Sequence, residues 1–316
     1  MHSRGMSVFV FRSRLAALLL LTMPGCGGHS APTPETLCKE FSGQRAFEHV
    51  SKLVAFGPRP SGSPELEQSR RYIEEQLRAV GWSVERQTFT DPTPHGNIEF
   101  VNLIARPTDA RPEDARAVVC THYDTKYFAA LRFVGANDGG SGTGALIELA
   151  RVLLHDPDLA RRVELVFFDG EEAIVNFNVQ IPPYDGLYGS RHYAHALSDS
   201  HRAGQFKLGY LWDMMGDRDL DITLPTDSPA KLTQSVFAAA DALGTRKHFG
   251  IFRGGSVLDD HVPLNNVHIP TIDLIDFDFA AWHTPADTLD KVSAESLQTV
   301  GQATLYSLGK SAPELR

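Results

Sequence analysis

Two adjacent carboxylates follow a run of apolar residues near the middle of the chain. The run Val163-Glu-Leu-Val-Phe-Phe168 leads directly into Asp169-Gly-Glu-Glu172. Neighbouring acids beside Phe167 and Phe168 would repel each other and resist losing water unless a cation or a shared proton relieved them. Two interpretations stay open for this segment alone. It is either a metal site, with one acid as ligand and one as base, or a solvated turn after a strand.

Other residues of metal-ligating types lie at comparable points along the chain, where apolar runs end. They are His122, Asp138, Asp213 and His283. Because the strands of a mostly parallel sheet end at one edge, these side chains and Glu172 could meet there. Mixed histidine and carboxylate ligands suit zinc, and an open position would mark a catalytic site. Spacing alone is weak support, since a single His or Asp after a strand is more often a cap or a satisfied core residue.

The elements that must position these residues alternate along the chain. Apolar runs typical of strands occupy 82–89, 98–105, 117–121, 163–168, 206–214 and 268–277. Apolar residues at helical spacing occupy 64–80, 143–154, 191–197, 230–243 and 293–308. Strands separated by helices predict a single α/β domain with a twisted, mixed but mostly parallel sheet and helices on both faces.

The first residues have the pattern of an export signal. Three arginines precede an apolar run at 15–23 that is too short to span a bilayer comfortably. The segment ends in Met-Pro-Gly-Cys26, which resembles a bacterial lipoprotein signal in which that cysteine is lipidated. We therefore predict a signal peptide at 1–26, with ordinary cleavage as the alternative, and a tether at 27–40. The protein is expected to be exported, as a periplasmic or cell-envelope lipoprotein or as a secreted protein, and to contact a membrane only through a lipid at Cys26.

The remaining residues, 41–316, are predicted to form one domain. The chain is 42% hydrophobic and 22% charged, which is ordinary for a globular protein with a sizeable core. Its net charge of -9 and the lack of a lysine and arginine cluster argue against nucleic acid as a partner, and we expect a monomer. Cys38 and Cys120 could pair in an oxidising compartment, but the sequence does not show whether their Cα atoms approach.

Short motifs give more specific information than spacing. In chain order they are His122-Tyr-Asp-Thr-Lys-Tyr-Phe128, Phe133-Val-Gly-Ala-Asn-Asp138, Phe167-Phe-Asp-Gly-Glu-Glu-Ala173, Asp185-Gly-Leu-Tyr-Gly-Ser-Arg-His192, Asp213-Met-Met-Gly-Asp217, Asp259-Asp-His-Val-Pro263 and Trp282-His-Thr284. This series resembles the glutaminyl-peptide cyclotransferases of the animal type, which share their fold with the two-zinc aminopeptidases. The resemblance extends from about Ala46 to the C-terminus. Segments 138–144 and 284–292 look equally like an aminopeptidase, so that function stays as the alternative.

The resemblance implies an activity and a set of catalytic residues. The implied reaction converts the N-terminal Gln of peptides or proteins into pyroglutamate and releases ammonia. The residues that match the ligands of a single zinc ion are Asp138, Glu172 and His283. Glu171 matches a general acid/base, and Asp213 and Asp259 match a hydrogen-bond relay behind it.

Other matched positions bear on the pocket and on the number of metal ions. Trp282 matches a tryptophan that walls the pocket, and Phe177 stands near the family's entrance tryptophan, with a small insertion at 178–183. His122 matches a position that binds a second zinc in aminopeptidases but is not a ligand in the cyclotransferases. With His122 and Asp213 as the second-metal position, we expect one zinc for a cyclotransferase and two for an aminopeptidase.

Two further implications follow from the same comparison of motifs. A disulfide of the animal enzymes is predicted to be absent, because Thr121 and Thr143 occupy its cysteine positions. A non-catalytic binding module of this fold is a third hypothesis. Such modules usually lose ligands or the base, whereas all of those positions are filled in this chain.

Overall fold

A computed structural model of the chain describes residues 1–2, 31–182 and 184–315. Residues 3–30, which carry most of the predicted signal peptide with Cys26 and the start of the predicted tether, lie outside the described residues. Within the described ranges, no helix is both long and apolar enough to cross a membrane.

An eight-stranded mixed sheet forms the centre of the domain. In chain order the strands are β1 (Trp82–Thr93), β2 (Gly96–Pro107), β3 (Ala117–His122), β4 (Val163–Phe168), β5 (Leu208–Asp213), β6 (Ile222–Leu224), β7 (Phe249–Ile251) and β8 (Thr271–Ile275). Their order in space is β1-β2-β4-β3-β5-β8-β6-β7. The central strands β4, β3, β5 and β8 run parallel, and β1, β2 and the β6–β8 contact add antiparallel pairs. The predicted mixed, mostly parallel sheet is confirmed.

Helices cover both faces of this sheet. In chain order they are α1 (Pro34–Leu37), α2 (Gly43–Phe56), α3 (Pro64–Ala79), α4 (Gly140–Leu153), α5 (Pro157–Ala160), α6 (Tyr188–Asp199), α7 (Ala230–Ala242), α8 (His261–Asn266) and α9 (Ala294–Ser311). On one face α2 packs against α4 and α9, and on the other α6 packs against α8. Helices α1, α2, α5 and α8 and strands β6 and β7 were not predicted from the sequence.

The central strands are apolar because both of their faces are buried. In β3, Val119 belongs to the core under α2, α4 and α9, whereas Val118 and Cys120 belong to the core under α6 and α8. A strand buried on both faces is mostly apolar rather than alternating, and Glu164 in β4 and Asp273 in β8 are buried exceptions. Polar side chains therefore concentrate where these strands end.

The folded domain begins earlier than the predicted residue 41. Leu37 and Cys38 are buried in the core beside α9, and the Glu35 carboxylate lies 2.6 Å from Lys310 Nζ. The structure therefore places residues 34–40 in the domain rather than in the predicted tether, because they cover apolar surface of α9. Cys38 and Cys120 are both buried and free.

Candidate metal centre and active-site cavity

The ends of the parallel strands position the candidate residues at one edge of the sheet. His122 is the last residue of β3 and Asp213 is the last residue of β5, and Glu171 and Glu172 lie just beyond β4. These three strands are adjacent and parallel, so their carboxyl ends lie side by side. The sheet itself thus gathers four of these polar side chains.

Asp138, Glu172 and His283 form a compact group of metal-ligating atoms. His283 Nε2 lies 3.0 Å from Glu172 Oε1 and 3.4 Å from Asp138 Oδ2. One ligand atom from each residue lies within 4.8 Å of the others. Both carboxylates are buried, whereas the His283 side chain stays 27% exposed. The group can therefore be approached from solvent at the histidine.

A second group shares Asp138 and is more deeply buried. His122 Nε2 lies 3.3 Å from Asp138 Oδ1 and 3.2 Å from Asp213 Oδ1. Burial alone would lower the pKa of His122, but the carboxylates of Asp124, Asp138 and Asp213 raise it well above its ordinary value. This imidazole therefore holds a proton, or could give it up to ligate a metal ion.

Glu171 and Glu172 border a cavity of about 410 Å³ next to the first group. Burial, followed by the charge of Glu172, raises the pKa of Glu171 well above its ordinary value. Burial and the charge of Asp138 raise the pKa of Glu172 to about 7. Carboxyl groups with raised pKa values in a cavity are typical of acid/base sites.

The cavity also has aromatic and apolar lining residues. Trp282 and Phe177 both line it, and they are 42% and 40% exposed. The Trp282 ring stacks on His283 with centroids 4.4 Å apart, which fixes the histidine against the wall. Lys126 donates to the carbonyl oxygen of Ala173 at 2.5 Å. Its ammonium group lies 3.8 Å from Glu172 Oε2.

Asp259 lines the same cavity but belongs to a separate buried group. Its carboxylate accepts a hydrogen bond from the backbone of Asp260 at 2.5 Å and, among the described residues, makes none to Glu171 or Asp213. Ligand-type atoms of Asp259, His261 and Asp273 lie within 4.8 Å of one another. Burial lowers the pKa of His261 to about 4, so this imidazole is neutral. The sequence analysis assigned nothing to His261 or Asp273.

Asp124 is a site residue to which the sequence analysis gave no role. Its fully buried carboxylate accepts hydrogen bonds from the backbone nitrogens of Glu171 at 3.2 Å and Glu172 at 3.3 Å. It also lies 3.5 Å from His122 Nδ1. Asp124 therefore fixes the turn that presents both glutamates. Its position two residues after the end of β3 could have indicated a role at this edge of the sheet.

The loop that carries Asp138 is held from two distant parts of the chain. Asp287 accepts hydrogen bonds from the backbone nitrogens of Asn137 at 2.8 Å and Asp138 at 3.1 Å. Arg59 is fully buried and donates to the carbonyl oxygen of Val134 at 2.7 Å. Neither residue lies near Asp138 in sequence, so no local pattern indicated these roles.

Gly139 allows Asp138 and His122 to approach each other. Its φ of 75° lies in the left-handed region that favours glycine. A Cβ atom at this position would collide with the carbonyl oxygen of Asp124 and lie 3.1 Å from Cε1 of His122. A larger residue would therefore separate the strand end from the metal-ligating loop.

The donor set of the first group fits zinc. Asp138 Oδ2 is buried and has no hydrogen-bond partner in the described part of the chain. Because buried polar atoms normally have a partner, a metal ion bound to this oxygen would satisfy it. One imidazole nitrogen and two carboxylates are ligands that zinc accepts, and three protein ligands leave a position open for substrate. The fold and this site together define a zinc-aminopeptidase-like α/β protein.

Comparison with known proteins supports that class and narrows it. The family model of peptidase family M28 matches residues 102–308. Glutaminyl-peptide cyclotransferase of Bos taurus is 31% identical, over 76% of each chain. The structure of an Acidobacteriales bacterium glutaminyl cyclase superimposes with a TM-score of 0.78 at 33% identity, covering 92% of this chain and 99% of that one. The structure of a leucine aminopeptidase precursor from Bacteroides thetaiotaomicron superimposes with a TM-score of 0.72 at 26% identity, covering 88% of this chain and 98% of that one. The chain belongs to peptidase family M28 and, within it, to the glutaminyl-peptide cyclotransferases.

Proposed function

We propose that this protein is a glutaminyl-peptide cyclotransferase that uses one zinc ion. Its substrates are peptides or proteins with an N-terminal Gln, and its products are the pyroglutamyl chain and ammonia. The zinc ligands are Asp138, Glu172 and His283, whose ligand-type atoms lie together beside the cavity. The single observation that carries the proposal is the similarity of the domain to glutaminyl-peptide cyclotransferases, because a base such as Glu171 beside a zinc ligand would also suit an aminopeptidase.

The reaction is an intramolecular substitution. The α-amine nitrogen attacks the side-chain amide carbon of the same Gln, a new carbon–nitrogen bond closes a five-membered lactam, and the bond to the amide nitrogen breaks. When bound, zinc would act as a Lewis acid on the amide oxygen and stabilise negative charge there. The protein must supply binding, orientation and proton transfer.

Glu171 performs the proton transfer. Its carboxylate accepts the proton that the attacking amine loses and returns it to the departing nitrogen, which leaves as ammonia. Burial, followed by the charge of Glu172, raises the pKa of Glu171, which favours holding the proton until the departing nitrogen takes it. Such an acid/base typically contributes about 10² to 10⁴ in rate.

The walls of the cavity orient the substrate. Trp282 and Phe177 line the cavity and provide apolar surface for the methylene groups of the Gln side chain. Asp213 and Asp259 also line the cavity, and the charge of Asp259 adds to burial and Glu172 in raising the pKa of Glu171. A five-membered ring closes only when amine and amide are held near each other, so this confinement favours the reaction.

A peptide assay tests the activity directly. The purified protein is incubated with one peptide that begins with Gln and with matched peptides that begin with Ala or Leu, and the products are identified by mass. A cyclotransferase removes one ammonia from the Gln peptide and leaves the others intact. Glu171→Gln should abolish turnover while zinc stays bound, and near wild-type turnover in that variant would remove Glu171 from the mechanism.

The second candidate is a two-zinc aminopeptidase. It is favoured by the group of His122, Asp138 and Asp213, whose ligand-type atoms also lie within 4.8 Å of one another. In that case water replaces the amine as the nucleophile, and the same assay would show loss of the first residue from the Ala or Leu peptide. Loss of a residue instead of ammonia would overturn the cyclotransferase proposal.

We further propose that the mature protein is an exported monomer. Residues 1–26 would direct export, Cys26 would carry the lipid, and a short tether would lead to the catalytic domain. Mass analysis of the mature N-terminus separates lipidation at Cys26 from ordinary cleavage, and cell fractionation tests export. The molar mass in solution, measured by light scattering, tests whether the protein is a monomer.

A further inference from the structure

A second groove adjoins the active-site cavity across one exposed leucine. Leu258 lines the cavity beside the acids and also lines a groove of about 390 Å³ between α6 and α8, which we call the α6–α8 groove. Leu258 is 44% exposed, so it forms a low ridge between the two spaces. A chain that leaves the cavity over this ridge enters the groove.

The surface around the ridge is more apolar than a solvated rim requires. Val175, Phe177 and Trp282 line the cavity with 48%, 40% and 42% of their surface exposed. Tyr184 lines the groove at 37% exposure, and Ile181 in the same loop is 69% exposed. Exposed apolar side chains that line a cavity and a neighbouring groove are typical of a binding site.

The loop that separates the cavity from the groove is fixed by a buried carboxylate. Asp185 accepts hydrogen bonds from the backbone nitrogens of Ile174 at 2.6 Å, Val175 at 2.9 Å and Asn176 at 2.9 Å. The first part of this loop lines the cavity, and its later residues Val179, Gln180 and Tyr184 line the groove. Because the loop is anchored, it presents a preformed surface.

We propose that the α6–α8 groove binds the residues that follow the N-terminal Gln of the substrate, with a preference for apolar side chains. This inference rests on the proposed function. In that reaction the Gln residue occupies the cavity, and the rest of the peptide must leave through its mouth, where Leu258 joins the groove. The described lining of the groove contains Leu187, Ala194, Val262 and Val267, and Arg191 is the only arginine or lysine in it. It should therefore disfavour lysine in this part of the substrate.

Three substrates test the proposal in one assay of ammonia release. Gln-amide has no residue to place in the groove, whereas Gln-Leu-Leu-amide and Gln-Lys-Lys-amide do. The leucine peptide is expected to exceed the lysine peptide in kcat/KM by about 5- to 10-fold, because its side chains would bury part of their apolar surface. Equal kcat/KM values for the two peptides, with normal turnover of Gln-amide, would overturn the groove proposal and leave the proposed function standing. No ammonia from any of the three would overturn both.

A negative charge introduced in the groove lining tests whether the groove is the part of the protein that distinguishes the two peptides. His195 lies on α6, is exposed and lines the groove, so His195→Glu can add an acid there without disturbing the core. It should raise kcat/KM for the lysine peptide about two- to fivefold at low salt and leave Gln-amide unchanged. Ser198→Glu is the matched control, because Ser198 is exposed on the same helix outside the groove lining. Equal gains for both variants would place the lysine peptide elsewhere and overturn the assignment to the groove.

Discussion

Asp124 offers the sharpest test of how the fold holds the catalytic acids. Its two carboxylate oxygens accept separate hydrogen bonds, Oδ1 from the backbone nitrogen of Glu171 and Oδ2 from that of Glu172. The substitution Asp124→Asn keeps the shape of the side chain but replaces one oxygen with an amide group that donates. One backbone nitrogen is then left facing a donor inside a fully buried site.

The size of the effect follows from those two contacts. A buried donor without a partner costs about 1–3 kcal/mol, so Asp124→Asn should lower the free energy of unfolding by that amount. Asp124→Ala loses both acceptors and should lower it by roughly twice as much. Because the turn also positions Glu171 and Glu172, a shift of about 1 Å in the carboxylates should lower kcat/KM about 100-fold.

Urea unfolding and steady-state turnover of a Gln peptide measure the two effects on the same samples. Asp158→Asn is the matched control. The Asp158 side chain is 94% exposed, and its ion pair with Arg161 at 3.3 Å contributes little to stability because it is exposed to solvent. It should leave both quantities unchanged. Wild-type kcat/KM in folded Asp124→Asn would refute the idea that the backbone of this turn controls the position of the acids.

The other predictions concern the metal and pH. His283→Ala should lose the zinc ion, and a folded variant with wild-type metal content by elemental analysis would contradict ligation by His283. His122→Ala should keep the metal content of the wild type but lower stability by about 3–5 kcal/mol, because it leaves buried carboxylates without a cation; loss of half the metal would instead indicate the two-zinc enzyme. Burial raises the pKa of Asp276 to about 7, so the unfolded chain ionises this group first as pH rises and stability falls from about pH 4 through pH 7. Between pH 5 and pH 8, the free energy of unfolding of Asp276→Asn, measured with urea, should therefore rise by about 1–3 kcal/mol relative to that of the wild type. If the difference between variant and wild type is the same at both pH values, Asp276 does not titrate in this way.

The central fold could be predicted because its strands end in a recognisable way. The strand Val163–Phe168 is apolar except for Glu164, and polar residues follow it at once. Helix α2 was missed although Ala46, Val50 and Leu53 have helical spacing after the N-cap residue Ser42. By contrast, β6 and β7 have three residues each, too few to establish any periodicity.

The site could be predicted only where chemistry and strand ends coincide. The carboxylates of Glu171 and Glu172 were visible because an acid pair after an apolar strand needs an explanation. Arg59 and Asp287 were not, because each acts through tertiary contacts with a loop far away in sequence. The boundary between the tether and the domain could not be predicted for the same reason, because residues 34–40 belong to the domain through contacts with α9.

Asp138 explains how one sequence can resemble both a one-zinc and a two-zinc enzyme. It belongs to both ligand-type groups, and His122 in the second group lies within 3.5 Å of three buried carboxylates. Without a metal ion, those carboxylates raise the pKa of His122 against the effect of burial. A second ion must displace the proton of His122, since only the neutral imidazole ligates a metal. Binding of a second ion would therefore compete with this proton and depend on pH.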